Sequence, residues 1–296
     1  MGKIITRRTF LKNTSSAALT GALYLNTPMH LFGEVNQKSK VVLIRNEDVL
    51  NSSAKPKTSV LEKMLDEAVK ILTDQDNTQN AWQQIIKPED VVGIKSNEYS
   101  YLRTPVELEN IIKNRIIDCG VADNNVGIDD RGVLDNPVFI NSTALINTRP
   151  MRAHAWSGVG SLLKNYIMFV EKPSTYHPDS CADLAKLWQL PLTKDKTRLN
   201  ILVMLTPLFH GLGPHLYNPK YSWAYNGLLV GFDPVAVDAT GVKILQAKRK
   251  EYFGEDRPIN PPPKHIFLAD TRHKLGNANP ASIDLIKVGW EKDILI

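Results

Sequence analysis

The sequence predicts an α/β domain on a mostly parallel sheet covered by helices on both faces. Three observations predict it. Short apolar runs alternate with stretches of helical periodicity, as in strands joined by crossover helices. The runs are apolar throughout rather than alternating, as strands buried on both faces must be. Composition does not shift along the chain, and no internal repeat or low-complexity tract interrupts it.

Residues 41–44 read as the first strand. Val60, Leu61, Met64, Leu65, Ala68, Val69 and Leu72 then recur at helical spacing. Residues 91–94 give a second strand. Thr104 and Pro105 open a helix through Leu108, Ile111, Ile112 and Ile116, stopped by Gly120; a Thr cap, Pro at the first position and Gly past the end are its expected signals. Strands follow at 126–128 and 144–146, then helices at 162–170 and 182–187, then strands at 201–205 and 228–230. Asp233-Pro234 caps a helix through Val242 and Leu245. After a proline-rich loop at 258–263 come a last helix to Lys274, stopped by Gly276, and a closing strand around Ile283, Leu285 and Val288.

Residues 1–34 read as a signal peptide, and 35–296 as a single α/β domain. Lys3, Arg7, Arg8 and Lys12 form a positive front, followed by the apolar stretch Ala17 to Leu25. Thr6-Arg7-Arg8-Thr9-Phe10-Leu11-Lys12 resembles the twin-arginine signal, an address read by a receptor rather than an anchor. The apolar stretch is shorter than the roughly 20 residues of a membrane span. The expected destination is periplasmic or otherwise exported, the twin-arginine translocase is the expected partner, and no stable membrane span is expected after processing.

The signal changes the charge argument. The chain has 36 basic and 31 acidic side chains; residues 1–34 hold four and one of them, which leaves 32 against 30. No basic patch interleaved with aromatics remains, so nucleic acid is not an expected partner. Lys248, Arg249 and Lys250 read as the solvated end of a helix. Cys119 and Cys181 are the only cysteines and form no C-x-x-C pair, so no iron–sulfur cluster is expected. They read as two buried thiols, although an oxidising compartment permits a disulfide.

In parallel sheets ligands bind beyond the carboxyl ends of the strands. Polar residues and one glycine cluster at those ends: Lys95 and Asn97; Asp129, Asp130 and Arg131; Arg152 and His154; Lys164 and Asn165; His177; Gly213; and Asp238. In the functional reading His154, Asp129 and Lys95 are catalytic, and Asn97, Arg131, Arg152, Lys164, Asn165, Gly213 and Asp238 bind ligand. Asp129, Asp130, His154 and His177 are the candidates for a divalent metal. His154 is the expected acid or base, because imidazole titrates near neutrality. Each residue also has a plainer reading: a strand-end turn for Asp129-Asp130-Arg131, a solvated Lys164, an N-cap for Asp233, a dipole partner for Asp238. Gly158-Val159-Gly160-Ser161 before Lys164 suggests an anion held on free backbone N–H groups, although the full phosphate-loop and dinucleotide spacings are absent.

The order Lys-x-Asn, Thr-Pro, Asp-Asp-Arg, Arg-x-His, Lys-Asn, Gly-x-Gly-Pro and Asp-Pro-Val-Ala-Val-Asp resembles the domain of unknown function 362 family over residues 41–289. Many members of that family carry a cysteine-rich ferredoxin-like segment, which this chain lacks, and many have Lys where Arg152 stands. The family has no generally established activity, so the resemblance implies a fold and a site rather than a reaction. Three readings are open: an enzyme acting on a small anionic molecule, metal-assisted or not, an exported small-molecule or metal binding protein without turnover, and a structural envelope protein.

Overall fold

Strands apolar on both faces need cover on both, and alternate residues of the central sheet feed two separate cores. A computed structural model describes residues 38–211 and 217–296. The signal and Gly213 lie outside the described residues. Eight strands are present among the described residues: β1 (Ser39–Arg45), β2 (Val92–Lys95), β3 (Val126–Asp129), β4 (Ala144–His154), β5 (Gly158–Gly160), β6 (Thr197–Leu208), β7 (Gly227–Gly231) and β8 (Ile283–Gly289). Their order is β3-β2-β4-β6-β7-β1-β8, with β5 beside β4. The pairs β2–β3, β2–β4, β4–β6 and β1–β8 are parallel, while β7 runs antiparallel to β6 and β1. The sheet is mixed and mostly parallel.

One face is covered by α1 (Thr58–Thr73), α2 (Thr78–Ile85) and α3 (Val106–Asp118). Leu61, Leu65, Val69, Trp82 and Ile112 pack there against Val42, Ile94 and Ile146 of the strands. The opposite face carries α4 (Pro234–Phe253), α5 (Lys264–Thr271) and the irregular segment between β5 and β6. Val235, Ile244 and Ile266 pack there against Leu43, Leu145 and Leu202. Cys119 belongs to the first core and Cys181 to the second; both thiols are free.

Several local expectations shift. The helix expected over 162–170 is one α-turn, Leu162–Asn165, followed by a 3-10 turn, Tyr166–Phe169. Residues 184–189 are also 3-10. Thr104 does not cap α3, because its hydroxyl accepts from the Asn97 N–H (3.2 Å) and reaches the Thr148 carbonyl (3.4 Å). Asp233 does cap α4, accepting from the N–H groups of Val235 and Ala236. Arg249 is buried rather than solvated and donates to the carbonyls of Phe209, Arg257 and Pro258. No described helix is long and apolar enough to cross a membrane.

β4 shapes the site. All eleven of its residues are buried, although it contains Asn147, Thr148, Arg149, Arg152 and His154. Strand residues alternate between faces. Leu145 and Met151 join the second core, and Arg149 shares their parity. Between Pro150 and Arg152 the pairing with β6 is irregular. Such an irregularity re-aims the side chains beyond it, and Arg152 and His154 line the same cleft as Arg149.

Candidate functional site

That cleft has a volume of about 280 Å³ and lies where β2, β3 and β4 end. Asn97 and Tyr99 come from the segment after β2, and Asp130 and Arg131 from the turn after β3. β4 contributes Arg149, Arg152 and His154; the one-turn helix Leu162–Asn165 contributes Lys164 and Asn165; Trp156 and His177 complete the wall.

The floor is made of buried cations. Arg149, Arg152 and Lys164 are 4%, 3% and 3% exposed. Arg152 Nη1 donates to Asn97 Oδ1 (2.9 Å), and its guanidinium lies 4.4 Å from the centre of the Tyr99 ring. Among the described residues the buried Nε atoms of Arg149 and Arg152 have no partner, and the hydrogen-bond partner of Lys164 Nζ is a thiol, Cys181 Sγ at 3.8 Å. Burial lowers the Lys164 ammonium to about 8 against the weak opposing pull of Cys181, with Arg149 adding repulsion. Burial likewise lowers Arg149 to about 10, against Asp130 and Asp238. Burial and then Arg149 work against charge on Arg152. A guanidinium does not surrender its proton, so the site keeps both charges and bears the cost.

Asn165 joins the strand ends. Its Nδ2 points at Asn147 Oδ1 (2.9 Å), the Lys95 carbonyl (3.1 Å) and the Thr148 carbonyl (3.2 Å). Gly160 in β5 leaves room for the arginines: a Cβ there would stand 2.8 Å from Arg149 Nη2 and 3.3 Å from Arg152 Cγ.

The structure redistributes several roles. Lys95 is fully buried behind Asp130, donating to Asp130 Oδ1 (2.5 Å) and to the Ser96 carbonyl (2.7 Å), and it does not line the cleft. Burial alone would raise the Asp130 carboxyl, but Lys95 and the Glu98 N–H hold it below its ordinary value. Asp129 turns away from the cleft. It accepts from the Gly132 N–H (2.7 Å) and Asn136 Nδ2 (3.1 Å), the turn-forming role open to an Asp at a strand end. Asp238 is also outside, accepting from Ser161 Oγ (2.7 Å) and the N–H groups of Leu162 and Leu163 (both 2.9 Å). The backbone N–H groups after Gly160 therefore hold the protein's own carboxylate, not a ligand. Burial raises Asp238 to about 6.

His154 does not titrate near neutrality as expected. Burial, then Lys164, Arg149, Arg152 and His177, push its imidazolium far below the ordinary range. Its Nδ1 accepts from the Trp156 N–H (3.2 Å), so Nε2 carries the proton of the neutral ring. His154 therefore accepts at Nδ1, and burial with the neighbouring cations favours its neutral form. His177 stacks on Trp156 with ring centres 4.2 Å apart. Among the described residues no group of three or more His, Cys, Asp and Glu side chains is placed to hold a metal ion. Asp129 faces its own turn, and Asp130 is committed to Lys95, so the metal candidates do not converge.

Arg149, Tyr99 and Trp156 were not expected from the sequence. Arg149 falls inside an Asn-Thr-Arg-Pro-Met-Arg run that looks like a loop. Only its alternation with Leu145 and Asn147 marks it as strand.

A larger cleft of about 590 Å³ lies on the α3 side, lined by Leu50, Pro56, Tyr101, Pro105, Val203 and Leu205 among others. Its basic residues, Lys55 and Arg103, are exposed, so it lacks the buried, convergent charge of the smaller site. No protein-family model, curated protein or solved structure matches the chain.

Proposed function

We propose that this chain is an exported protein that binds a small anionic molecule in the cleft between Arg149, Arg152 and Lys164. One observation carries the reading: three buried cations face a cavity, and two of them have buried N–H groups without a partner. An unpaired buried donor costs about 1–3 kcal/mol, more when charged. A cluster of such groups at a cavity is the arrangement an anion completes. Isothermal titration of the full chain with inorganic phosphate and with short carboxylates tests it. Saturable heat that Arg152→Met abolishes is expected; no saturable heat with any anion refutes the reading.

Turnover is the second reading, favoured by Lys164. Its ammonium sits near pH 8 inside the cleft, where a lysine can give and accept a proton. A bound anion that proton NMR shows unchanged over days leaves a binding protein. Conversion that Lys164→Arg abolishes establishes an enzyme.

Export rests on Arg7-Arg8-Thr9-Phe10-Leu11-Lys12 and the short apolar stretch after it. Replacing both Arg7 and Arg8 by Lys is expected to retain the protein in the cytoplasm; unchanged export removes the proposal. Membership of the domain of unknown function 362 family rests on the ordered residues at the strand ends and is part of the same proposal.

A further inference from the structure

The buried charges around the cleft do not balance. Four cations are buried there: Lys95, Arg149, Arg152 and Lys164. Two carboxylates are buried among them: Asp130, paired with Lys95, and Asp238, which acts on Arg149. Behind the Lys95–Asp130 pair, Glu109 lies 3.7 Å from Arg103 and also acts on Asp130, and Asp129 acts on Lys95. Arg131 is exposed, and its charge is met by water. His154 and the fully buried His265 are neutral, held so by burial and the same cations. Set against Asp238, the three cations that face the cleft, Arg149, Arg152 and Lys164, carry an excess of two positive charges.

The excess is compact. The guanidinium of Arg149 and the stem of Arg152 approach one point above Gly160. Lys164 acts on both arginines and on His154. Charges buried this close repel strongly. Beside them the wall turns aromatic and apolar, with Tyr99, Trp156, Ile167 and Met168. Trp156, backed by His177, is 42% exposed.

We infer that the ligand is a phosphomonoester of a small planar molecule, its dianionic phosphate against Arg149, Arg152 and Lys164 and its body against Trp156 and Tyr99. This rests on the anion-binding reading above and adds the charge and the shape. A dianion brings the buried cluster to neutrality, whereas a monoanion leaves one charge unmet. A phosphate oxygen set suits two guanidinium forks and an ammonium, because both can bond it with charge assistance. A cleft of about 280 Å³ admits one small ring with its phosphate and little more.

Phenyl phosphate and phenyl sulfate are nearly the same shape and differ by one charge at pH 7.5, since a phosphomonoester loses its second proton near about pH 6. The test is calorimetric titration of the full chain with each. Phenyl phosphate is expected to bind about 10- to 100-fold more tightly. Lys164→Met, which removes one excess charge, is expected to shrink that ratio to within about threefold while thermal unfolding shows the variant folded. Equal affinity for both compounds in the parent chain overturns the dianion inference and leaves the anion-binding reading in place. Binding of neither, nor of phosphate or a carboxylate, removes both. Binding of phenyl phosphate no tighter than inorganic phosphate overturns the planar body.

Discussion

Replacing Lys164 by Met removes a buried charge while keeping an unbranched stem of similar length. The side chain is 3% exposed, and its ammonium falls from 10.5 to about 8 mainly through burial. At about 1.4 kcal/mol per tenfold, that gap makes the charged amine cost the ligand-free fold about 3 kcal/mol at pH 7. Its long hydrogen bond to a thiol 3.8 Å away returns little. Lys164→Met should therefore stabilise the empty protein. For a domain of this size each kcal/mol moves Tm by about 2–4 °C, so a rise of about 6–12 °C is expected. Anion affinity should fall in the same variant by about 10- to 100-fold, the worth of one charge-assisted hydrogen bond. Differential scanning calorimetry at pH 7 and titration with phenyl phosphate read the two effects separately. A Tm lowered by several degrees with binding intact would mean that Lys164 serves the fold, and the reasoning would be refuted.

The pH dependence follows from the same residue. Below about pH 8 the folded state must hold the buried ammonium, so the cost is fully present at neutral pH and below. Between about 8 and 10.5 the folded protein has released a proton that the unfolded chain still holds, and the cost fades. Urea unfolding of the ligand-free chain should show this contribution rising over that window and absent in Lys164→Met; a parent and variant with parallel pH curves would contradict it. Asp130→Asn strands Lys95 as a fully buried unpaired cation, at about 3–5 kcal/mol. Adding Lys95→Met to it should restore most of that loss in the same unfolding assay, and a simply additive double variant would count against the pair. Gly160→Ala places a methyl group 2.8 Å from Arg149 Nη2, so titration should show anion binding about tenfold weaker. Its Tm should change by only about 2–4 °C, since a flexible side-chain end can move aside.

The sheet could be read from the sequence because its strands are buried on both faces: Val41 to Ile44, Val92 to Ile94 and Leu228 to Val230 are apolar whatever their direction. The antiparallel course of β7 could not, since the same apolar run serves either direction. β4 was legible only to Ile146. Beyond it the strand carries two arginines, a proline and a histidine, which normally mark a loop, yet all of them are buried in an interior strand of the sheet. Asp130, Arg152, His154, Lys164 and Asn165 were found by position, since the end of an apolar run predicts the rim of a site. Their roles were not, because each depends on a distant partner. Lys95 meets Asp130 across 35 positions, and Asp238 caps a turn 75 and 76 positions away. Asp129 is the opposite case. Its turn with Gly132 is local, and the plainer reading of the Asp-Asp-Arg run already contained it.

The most direct test of the central claim is a crystal structure of the chain with phenyl phosphate bound. The account predicts phosphate oxygens within hydrogen-bonding distance of the Arg149 and Arg152 guanidinium groups and of Lys164 Nζ, with the ring against Trp156. Phosphate seated instead beside Arg103 in the larger cleft, with the Arg149 and Arg152 Nε atoms still unpartnered, would contradict it.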